Sequence, residues 1–369
     1  MVDPQLWISL NEVVNSGNKW GVLMYEYENT LRETARALVA PNKGILAADE
    51  SFSTIEKRFK TIDVASTADS RRAYREILFT TSGSNEFISG VILFDETIRQ
   101  TTSEGQAFTD VLLKQRIIPG IKVDKGTTPL PFSRGEKITE GLDGLRARLK
   151  EYRQLGARFA KWRAVLAIGE ETPSRYCIHC NGHALGRYAA LCQEEDLVPI
   201  VEPEVLMEGA HSIDRCEKET GKTLEAVFGA LDESGILLEG ILLKPNMVLP
   251  GKDCTIQAHP EEVAEATLRC FLRHVPAAVP GVVFLSGGQS DVQATKNLNA
   301  MNALGKFPWE LSFSFGRALQ APVLEVWQGE SRNIEAAKKA FYHRASCNGA
   351  ARSGSYNEAM EKEVAQFGP

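Results

Sequence analysis

Residues 198–204 read Val-Pro-Ile-Val-Glu-Pro-Glu, a short apolar run that ends in two carboxylates, Glu202 and Glu204. Eight such runs recur along the chain. They occupy residues 44–48, 87–94, 118–123, 159–166, 197–205, 237–243, 282–285 and 311–315. Runs that are apolar throughout, rather than at alternate positions, are typical of parallel strands covered on both faces of the sheet.

Segments with helical periodicity lie between these runs. Residues 141–156 carry large side chains three and four positions apart, and residues 261–274 follow a proline suited to a first helical turn. Strands that alternate with helices indicate parallel pairing and right-handed crossovers. Eight of them predict an α/β chain folded as a closed (β/α)₈ barrel, a TIM barrel. A doubly wound open sheet is the alternative.

The length of 369 residues would fit two average domains or one α/β barrel. The middle of the chain has no Gly/Ser tract, Pro tract or charge block that would indicate a linker. We therefore expect one catalytic domain over residues 41–346. An N-terminal arm over residues 1–40 precedes it, and a flexible C-terminal tail over residues 347–369 follows it.

Composition excludes several classes of protein. With 42 basic and 48 acidic residues the net charge is −6, which disfavours binding to nucleic acid or to an anionic membrane. No apolar stretch approaches the roughly 18–20 residues of a membrane helix, and the first 25 residues lack the pattern of a signal peptide. The seven cysteines are spread thinly, as in a reducing compartment. These features predict a soluble cytoplasmic protein.

Motifs for common cofactors and metals are weak or missing from the sequence. It contains neither a G-x-G-x-x-G nor a G-x-x-x-x-G-K-[ST] motif. Cys177 and Cys180 have C-x-x-C spacing with His183 nearby, but a second pair of ligands at a suitable distance is missing. We therefore expect no cofactor and no metal site.

Charged residues follow five of the predicted strands. They are Asp49, Lys122 with Asp124, Lys161 with Arg163, Glu202 with Glu204, and Lys244. Residues two apart on a strand point to the same side. The carboxyl ends of the strands form the catalytic mouth of a barrel of this kind. So many ions at one mouth are costly unless they pair with each other or with a ligand, which indicates a functional cluster.

Such a cluster is suited to imine chemistry. A partly desolvated lysine beside other cations has the pKa of its ammonium group lowered, so that the free amine can attack a carbonyl. Nearby carboxylates can move the protons that imine formation requires. Spacing alone leaves Lys122, Lys161 and Lys244 as candidate nucleophiles, and the apolar strand before Lys244 favours that residue.

Two glycine-containing segments indicate phosphate binding. Ser286 and Gly287 follow the seventh predicted strand, and the sequence from Ser314 to Gly316 and Arg317 follows the eighth. Glycine lets backbone N–H groups approach an anion, and arginine supplies a bidentate fork. The loops after strands seven and eight often hold phosphate in these barrels. Residues 57 and 58, Lys and Arg, either meet a second phosphate or form a solvated helix face.

Seven motifs together resemble the class I fructose-1,6-bisphosphate aldolases. They are GILAADES (44–51), GIKVDKG (120–126), FAKWR (159–163), VPIVEPE (198–204), LEGILLKPNMV (238–248), FLSGGQS (284–290) and FSFGRALQ (313–320). The resemblance runs in order from about residue 29 to about residue 350. It implies a glycolytic and gluconeogenic enzyme. The reaction is reversible, metal-independent cleavage of fructose 1,6-bisphosphate, through a lysine Schiff base, to dihydroxyacetone phosphate and glyceraldehyde 3-phosphate.

The resemblance also implies residue roles. Lys244 would form the Schiff base, Glu202 would be its acid/base, Asp49 with Lys161 would assist C3–C4 cleavage, and Glu204 would orient neighbouring groups. The substrate-binding residues would be Lys122 and Arg163 in the cleft, Ser286, Gly287, Ser314, Gly316 and Arg317 at the C1 phosphate, and Ser51 and Arg58 toward the C6 phosphate.

Two features depart from the family pattern. One is Phe315, where the family commonly has Tyr, which removes a hydroxyl near the loop assigned to the C1 phosphate. The other is the end of the sequence. Members generally end in a tyrosine that is implicated in protonating the enamine, whereas this sequence ends Ala-Gln-Phe-Gly-Pro369 and its last tyrosine is Tyr356. Either another group protonates the enamine, or turnover of the bisphosphate is weakened.

Two alternative functions stay open at this stage. One is the same chemistry on sedoheptulose bisphosphate or fructose 1-phosphate. The other is a binding scaffold of reduced activity with a cytoskeletal or adhesin tail as its partner. The family further implies a homotetramer.

Overall fold

A closed barrel of eight parallel strands forms the centre of the chain. The structure is a computed structural model that describes residues 19–133 and 135–362. The barrel strands are β1 (Gly44–Ala48), β2 (Ile88–Leu93), β3 (Ile118–Lys122), β6 (Phe159–Leu166), β7 (Val198–Val205), β8 (Leu242–Leu243), β9 (Gly281–Phe284) and β10 (Glu310–Phe315). They lie around the barrel in this order, and β10 pairs with β1 through Ile45 and Ser314. The predicted TIM barrel is confirmed, and the open sheet is excluded.

Helices surround the barrel in the described residues. They are α1 (Lys19–Leu38), α2 (Phe52–Lys60), α3 (Ala68–Phe79), α4 (Asp95–Ile98), α5 (Phe108–Lys114), α6 (Leu145–Gln154), α7 (Arg175–Glu194), α8 (Ile213–Glu233), α9 (Pro260–His274), α10 (Asp291–Ala303), α11 (Arg317–Trp327), α12 (Ile334–Arg352) and α13 (Ala359–Lys362). Several begin at a serine whose hydroxyl accepts a backbone N–H of the first turn, as Ser174, Ser212 and Ser290 do. Every described helix is too short or too polar to span a bilayer.

The interior of the barrel is closed at its amino-terminal end. Leu38 and Val39, at the end of α1, belong to the same buried cluster as the inward-facing Ile45 and Phe159. Gly120 lets this layer pack, because a Cβ at that position would lie 2.3 Å from the Phe159 ring. With this end filled by side chains, a ligand can enter the barrel only from the carboxyl ends of the strands.

The predicted strand at 237–243 is mostly wrong. Only Leu242–Leu243 is a strand, while Leu238–Gly240 forms a 3₁₀ turn. The side chain of Gln193 explains the difference, because its amide accepts from the Leu237 N–H and donates to the Leu237 carbonyl. These bonds satisfy backbone groups that a strand would have paired with its neighbour.

Two further elements lie outside the predicted pattern. A short antiparallel hairpin of β4 (Thr127–Pro129) and β5 (Lys137–Thr139) follows β3. The boundary between barrel and tail at residue 346 falls inside α12, whose buried residues continue to Arg352. The first part of the predicted arm, residues 1–18, and the end of the tail, residues 363–369, lie outside the described residues.

Candidate active site

A cleft of 1210 Å³ opens at the carboxyl ends of the barrel strands. All the site residues named from the sequence line it. They are Asp49, Ser51, Arg58, Lys122, Lys161, Arg163, Glu202, Glu204, Lys244, Ser286, Gly287, Ser314, Gly316 and Arg317. The barrel therefore brings together residues from seven of its strands and the loops that follow them. Their chemical roles remain a prediction.

Lys161 lies at the centre of the charges in the cleft. Its Nζ is 2.7 Å from Asp49 Oδ2, 3.4 Å from Glu202 Oε2 and 4.0 Å from Asp124 Oδ2. The lysine is 4% exposed. One buried ammonium group thus contacts three carboxylates that arrive on three other strands, which keeps all of these ions paired away from water.

Lys244 follows β8 and reaches the same carboxylate from the other side. Its Nζ lies 3.3 Å from Glu202 Oε1, and its side chain is 5% exposed. The Lys244 N–H donates to the carbonyl of Val201 at 2.8 Å, which fixes the backbone next to β7. Glu202 therefore bridges Lys244 and Lys161, one oxygen facing each lysine, and is placed to exchange protons with the Lys244 amine.

Lys122 and Arg163 each have a carboxylate partner along the cleft wall. Lys122 Nζ is 2.6 Å from Asp124 Oδ1 and also donates to the Asp124 carbonyl at 2.7 Å. Arg163 Nε donates to Glu204 Oε2. Of these two pairs, only Lys122 with Asp124 is one that the spacing of two residues placed on one side. Arg163 and Glu204 come from neighbouring strands, and both line the cleft.

The pKa values of the buried ions reflect this pairing. Burial would raise the pKa of Asp49, but the ammonium groups of Lys161 and Lys244 outweigh it and hold that pKa well below its usual range. Burial would lower the pKa of Lys161, but Asp49, Glu202 and Asp124 together raise it. Burial also opposes the charge of Arg163, whose pKa is nonetheless raised by Glu204. Asp49 and Lys161 therefore stay charged over a wide range of pH.

The loops after β9 and β10 lie side by side at one end of the cleft. Arg317 Nη2 donates to the Gly287 carbonyl at 2.7 Å, which ties the two loops together. Gly287 has φ +57°, a conformation that favours glycine. The hydroxyl of Ser314 is buried and has no hydrogen-bond partner among the described residues. A buried, unpaired hydroxyl beside an arginine is suited to an anion.

Arg58 reaches the loop after β10, because a Cβ built at Gly316 would lie 3.7 Å from its Nη2, and it does not stand alone. Its guanidinium pairs with Glu50, which also pairs with Arg75 and accepts from Gln320 Nε2 at 2.8 Å. Glu50 is 8% exposed. Burial would raise the pKa of Glu50, but the two arginines outweigh it and lower that pKa. Glu50 thus orients Arg58 toward the cleft.

Sequence reasoning missed Glu50, Arg148 and Lys252, all of which line the cleft. The sequence does contain a signal for Glu50, because this residue directly follows Asp49. Adjacent residues of an extended chain point to opposite sides, so the Glu50 carboxylate needs a cationic partner of its own. Arg148 donates to the carbonyls of Val123 and Gly141 and holds the loop after β3. Nothing in the spacing around Lys252 indicated that it reaches the cleft.

Potential metal ligands meet at one place among the described residues, away from the cleft. His343, Cys347 and Glu361 bring ligand atoms within 4.8 Å of one another. The Glu361 carboxylate already accepts from Arg344 Nη1 at 2.6 Å and from the Tyr356 hydroxyl at 2.8 Å. Cys177 and Cys180, the C-x-x-C pair of the sequence, lie within α7 and are free cysteines. Catalysis without a metal or other cofactor remains a prediction.

The fold and the lining of the cleft agree with a known family. The family model described as fructose-bisphosphate aldolase class-I matches residues 30–367 of this chain. The chain belongs to the class I fructose-bisphosphate aldolases. It is therefore an enzyme, a glycolytic lyase that works through a lysine Schiff base, and the resemblance given by the seven motifs is confirmed.

Individual aldolases are similar over most of their length. The fructose-bisphosphate aldolase of Dictyostelium discoideum is 56% identical over 334 residues, which are 90% of this chain and 94% of that protein. A cytosolic fructose-bisphosphate aldolase of Arabidopsis thaliana is 55% identical, covering 86% of this chain and 81% of the plant protein. The solved structure of the Plasmodium falciparum aldolase, in complex with TRAP and a small-molecule inhibitor, has a TM-score of 0.89 and 51% identity. That match covers 90% of this chain and 96% of the other.

Tyr356, the last tyrosine of the sequence, does not line the cleft. It is 7% exposed, its N–H donates to Asn299 Oδ1 at 3.0 Å, and its hydroxyl donates to Glu361. In the described structure this tyrosine anchors α13 against the outside of the barrel.

Proposed function

We propose that this aldolase cleaves fructose 1,6-bisphosphate with Lys244 as the Schiff-base nucleophile. The observation that carries the proposal is the contact chain in which Glu202 bridges the ammonium groups of Lys244 and Lys161 at 3.3 and 3.4 Å. A nucleophilic amine needs a proton acceptor beside it, and Glu202 is that acceptor for Lys244. Lys161, held by Asp49 as well, keeps its proton and serves as a fixed positive charge.

The steps follow from these positions. The Lys244 amine attacks the C2 ketone, and Glu202 takes the proton that the amine loses. Glu202 then returns the proton to the carbinolamine hydroxyl, which leaves as water and gives the imine. Cleavage of the C3–C4 bond sends its electron pair into the imine and the C4 hydroxyl proton toward Asp49. Glyceraldehyde 3-phosphate leaves, the enamine is protonated at C3, and hydrolysis releases dihydroxyacetone phosphate.

The two phosphates would bind at the two sets of residues that the family resemblance implies. Ser286, Gly287, Ser314, Gly316 and Arg317 would hold the C1 phosphate by hydroxyls, backbone N–H groups and a guanidinium fork. Ser51 and Arg58 would meet the C6 phosphate, with Lys122 and Arg163 along the sugar. Glu204 would keep Arg163 oriented. Binding both ends fixes the sugar so that C2 meets the lysine and C4 meets the carboxylate.

Borohydride trapping tests the nucleophile. Fructose 1,6-bisphosphate and borohydride should label Lys244 alone and abolish activity, and Lys244→Met should be neither labelled nor active. Lys338→Met is a matched control, because Lys338 pairs with the exposed Glu335 near the start of α12, outside the cleft. It should be labelled at Lys244 like the wild type. Labelling of Lys161 or Lys122 in the wild-type enzyme would contradict the assignment, and loss of activity on adding EDTA would contradict metal-independent cleavage.

The range of sugars is a separate part of the proposal. Because each phosphate is assigned cationic residues of the cleft, kcat/KM should be highest for fructose 1,6-bisphosphate and lower for fructose 1-phosphate, which lacks one phosphate. A higher kcat/KM for sedoheptulose bisphosphate or fructose 1-phosphate would make that sugar the substrate while leaving the imine mechanism intact.

We further propose a cytoplasmic homotetramer. Plant relatives named cytosolic support the location, and the family resemblance supports the assembly. Light scattering on the purified chain should give four copies. A peptide-tail partner is the second candidate role, favoured by the TRAP complex of the Plasmodium falciparum relative. An acidic peptide tail should then compete with fructose 1,6-bisphosphate for the cleft, and binding without competition would remove this role.

A further inference from the structure

Lys252 lies in the loop after β8, and its backbone is fixed against the loop after β7. The Lys252 N–H donates to the Met207 carbonyl at 2.8 Å. Its neighbours make similar bonds, from the Gly251 N–H to the His211 carbonyl at 2.8 Å and from the Asp253 N–H to the Gly209 carbonyl at 2.9 Å. Three consecutive backbone bonds hold the base of the Lys252 side chain at one place on the cleft wall.

The side chain of Lys252 crosses the glycine loop that follows β9. A Cβ added at Gly288 would lie 2.1 Å from Lys252 Cε and 2.5 Å from its Nζ. The lysine therefore occupies the space that the missing side chain of Gly288 leaves. Its ammonium group lines the same cleft as Ser286 and Arg317. A second cation beside Arg317 thus lies at the end of the cleft assigned to the C1 phosphate.

The groups around this ammonium are available for an anion. The Gly288 N–H donates to the sulfur of Met207 at 3.0 Å, which is a weak acceptor. Lys252 Nζ lies 3.6 Å from Glu208 Oε1, and the two side chains are 41% and 64% exposed. An ion pair so exposed is weak, so the ammonium can leave Glu208 for a phosphate at small cost.

We propose that Lys252 is a binding residue for the phosphate held by the loops after β9 and β10, and that it sets the affinity for the ketose-derived half of the substrate. The inference rests on the proposed function, because it takes the phosphate at these loops to be that of C1. On binding, the ammonium exchanges its contact with Glu208 for a phosphate oxygen and lies over the N–H of Gly288.

The condensation direction separates the two ends of the substrate. Dihydroxyacetone phosphate carries the phosphate that becomes C1, and glyceraldehyde 3-phosphate carries the one that becomes C6. Lys252→Met should raise KM for dihydroxyacetone phosphate about 3- to 10-fold. It should leave KM for glyceraldehyde 3-phosphate, and kcat, within about twofold of wild type. Inorganic phosphate should inhibit the variant less strongly by the same factor.

A second variant approaches the same contact from the glycine. In Gly288→Ala the new methyl group pushes the Lys252 ammonium aside, so KM for dihydroxyacetone phosphate should rise by a similar factor. In the double variant Lys252→Met with Gly288→Ala, the two effects should not add, because both remove one contact. Lys338→Met is the control for loss of a lysine elsewhere and should leave both KM values at wild type.

Several outcomes would overturn the inference. They are an unchanged KM for dihydroxyacetone phosphate in Lys252→Met, an equal rise for both triose phosphates, or additive effects in the double variant. Borohydride trapping at Lys244 separates this failure from that of the proposed function. If trapping persists while Lys252→Met behaves as wild type, only the role of Lys252 is refuted. If trapping is lost from the wild-type enzyme, the proposed function itself fails.

Discussion

Replacing Lys161 with methionine removes the cation on which three buried carboxylates converge. Methionine is of similar length and keeps most of the apolar contacts of the lysine stem. The variant leaves Asp49, Asp124 and Glu202 with only Lys122 and Lys244 as nearby ammonium partners. One negative charge among these buried carboxylates is then uncompensated.

The size of the effect follows from the distances. Two unit charges 2.7 Å apart, as Lys161 and Asp49 are, attract by about 6 kcal/mol at an effective dielectric constant of about 20. The desolvation that both ions already bear offsets part of this, so breaking such a buried pair costs about 3–5 kcal/mol of unfolding free energy. The protein can reduce that cost by protonating one carboxylate, whose pKa must then rise.

Loss of the Lys161 charge in Lys161→Met should also lower kcat/KM. In the wild-type enzyme Asp49 is ionised over a wide range of pH because its pKa is held low, so it contributes no acid limb to the rate near neutrality. Without Lys161, one carboxylate of the cleft takes up a proton as the pH falls toward its raised pKa. We expect kcat/KM to fall by about 10²–10⁴-fold, with a new acid limb in the pH profile.

Three measurements check this expectation. They are urea unfolding, kcat/KM against pH, and borohydride trapping at Lys244, with Lys338→Met as the matched control. The exposed pair of Lys338 and Glu335 contributes at most about 1 kcal/mol, so its loss should leave all three measurements near wild type. If Lys161→Met kept kcat/KM within threefold of wild type and lost less than about 1 kcal/mol, the reasoning from charge balance would be wrong.

Three further predictions use other parts of the structure. Glu50→Gln leaves two guanidinium groups without their carboxylate, so urea unfolding should show a loss of about 3–5 kcal/mol, and an unchanged midpoint would contradict the pairing. Asp49 stabilises the fold above its ordinary pKa of 3.8 and loses this as pH falls through its lowered value. Lys161 stabilises below 10.5 and loses this as pH rises through its raised value, so the coupling free energy of this pair, measured by a double-mutant cycle of Asp49→Asn and Lys161→Met at a series of pH values, should be level between those limits. Gly120→Ala should cost about 1–3 kcal/mol in thermal or urea unfolding, whereas Gly229→Ala, at an open helical position, should gain up to about 1 kcal/mol; equal effects would refute the packing argument.

Local periodicity explains why the barrel could be predicted from the sequence. A strand covered on both faces must be apolar at every position, and seven of the eight predicted runs match observed strands closely. The run at 237–243 failed because an apolar segment can be buried without pairing. Gln193, more than forty residues away, supplies its hydrogen bonds instead. Periodicity carries no information about a partner so distant in the sequence.

The site was predictable to the extent that its residues are consecutive on strands. The period of two places Lys161 with Arg163 and Glu202 with Glu204 without any knowledge of the loops. The position of Glu50 between two arginines, by contrast, depends on how α2 and α3 pack against β1. Lys252 depends on the conformation of two loops and on a space left by a glycine. Contacts of this kind exist only in three dimensions.

The pairing of β1 with β10 has a consequence for how the enzyme is made. Asp49 follows the first strand of the barrel, whereas Arg317 follows the last, and the two line one cleft only after the sheet has closed. During synthesis the early strands leave the ribosome long before the last one. A growing chain therefore carries most of its reactive side chains without a working centre, and catalysis can begin only when nearly the whole polypeptide has emerged.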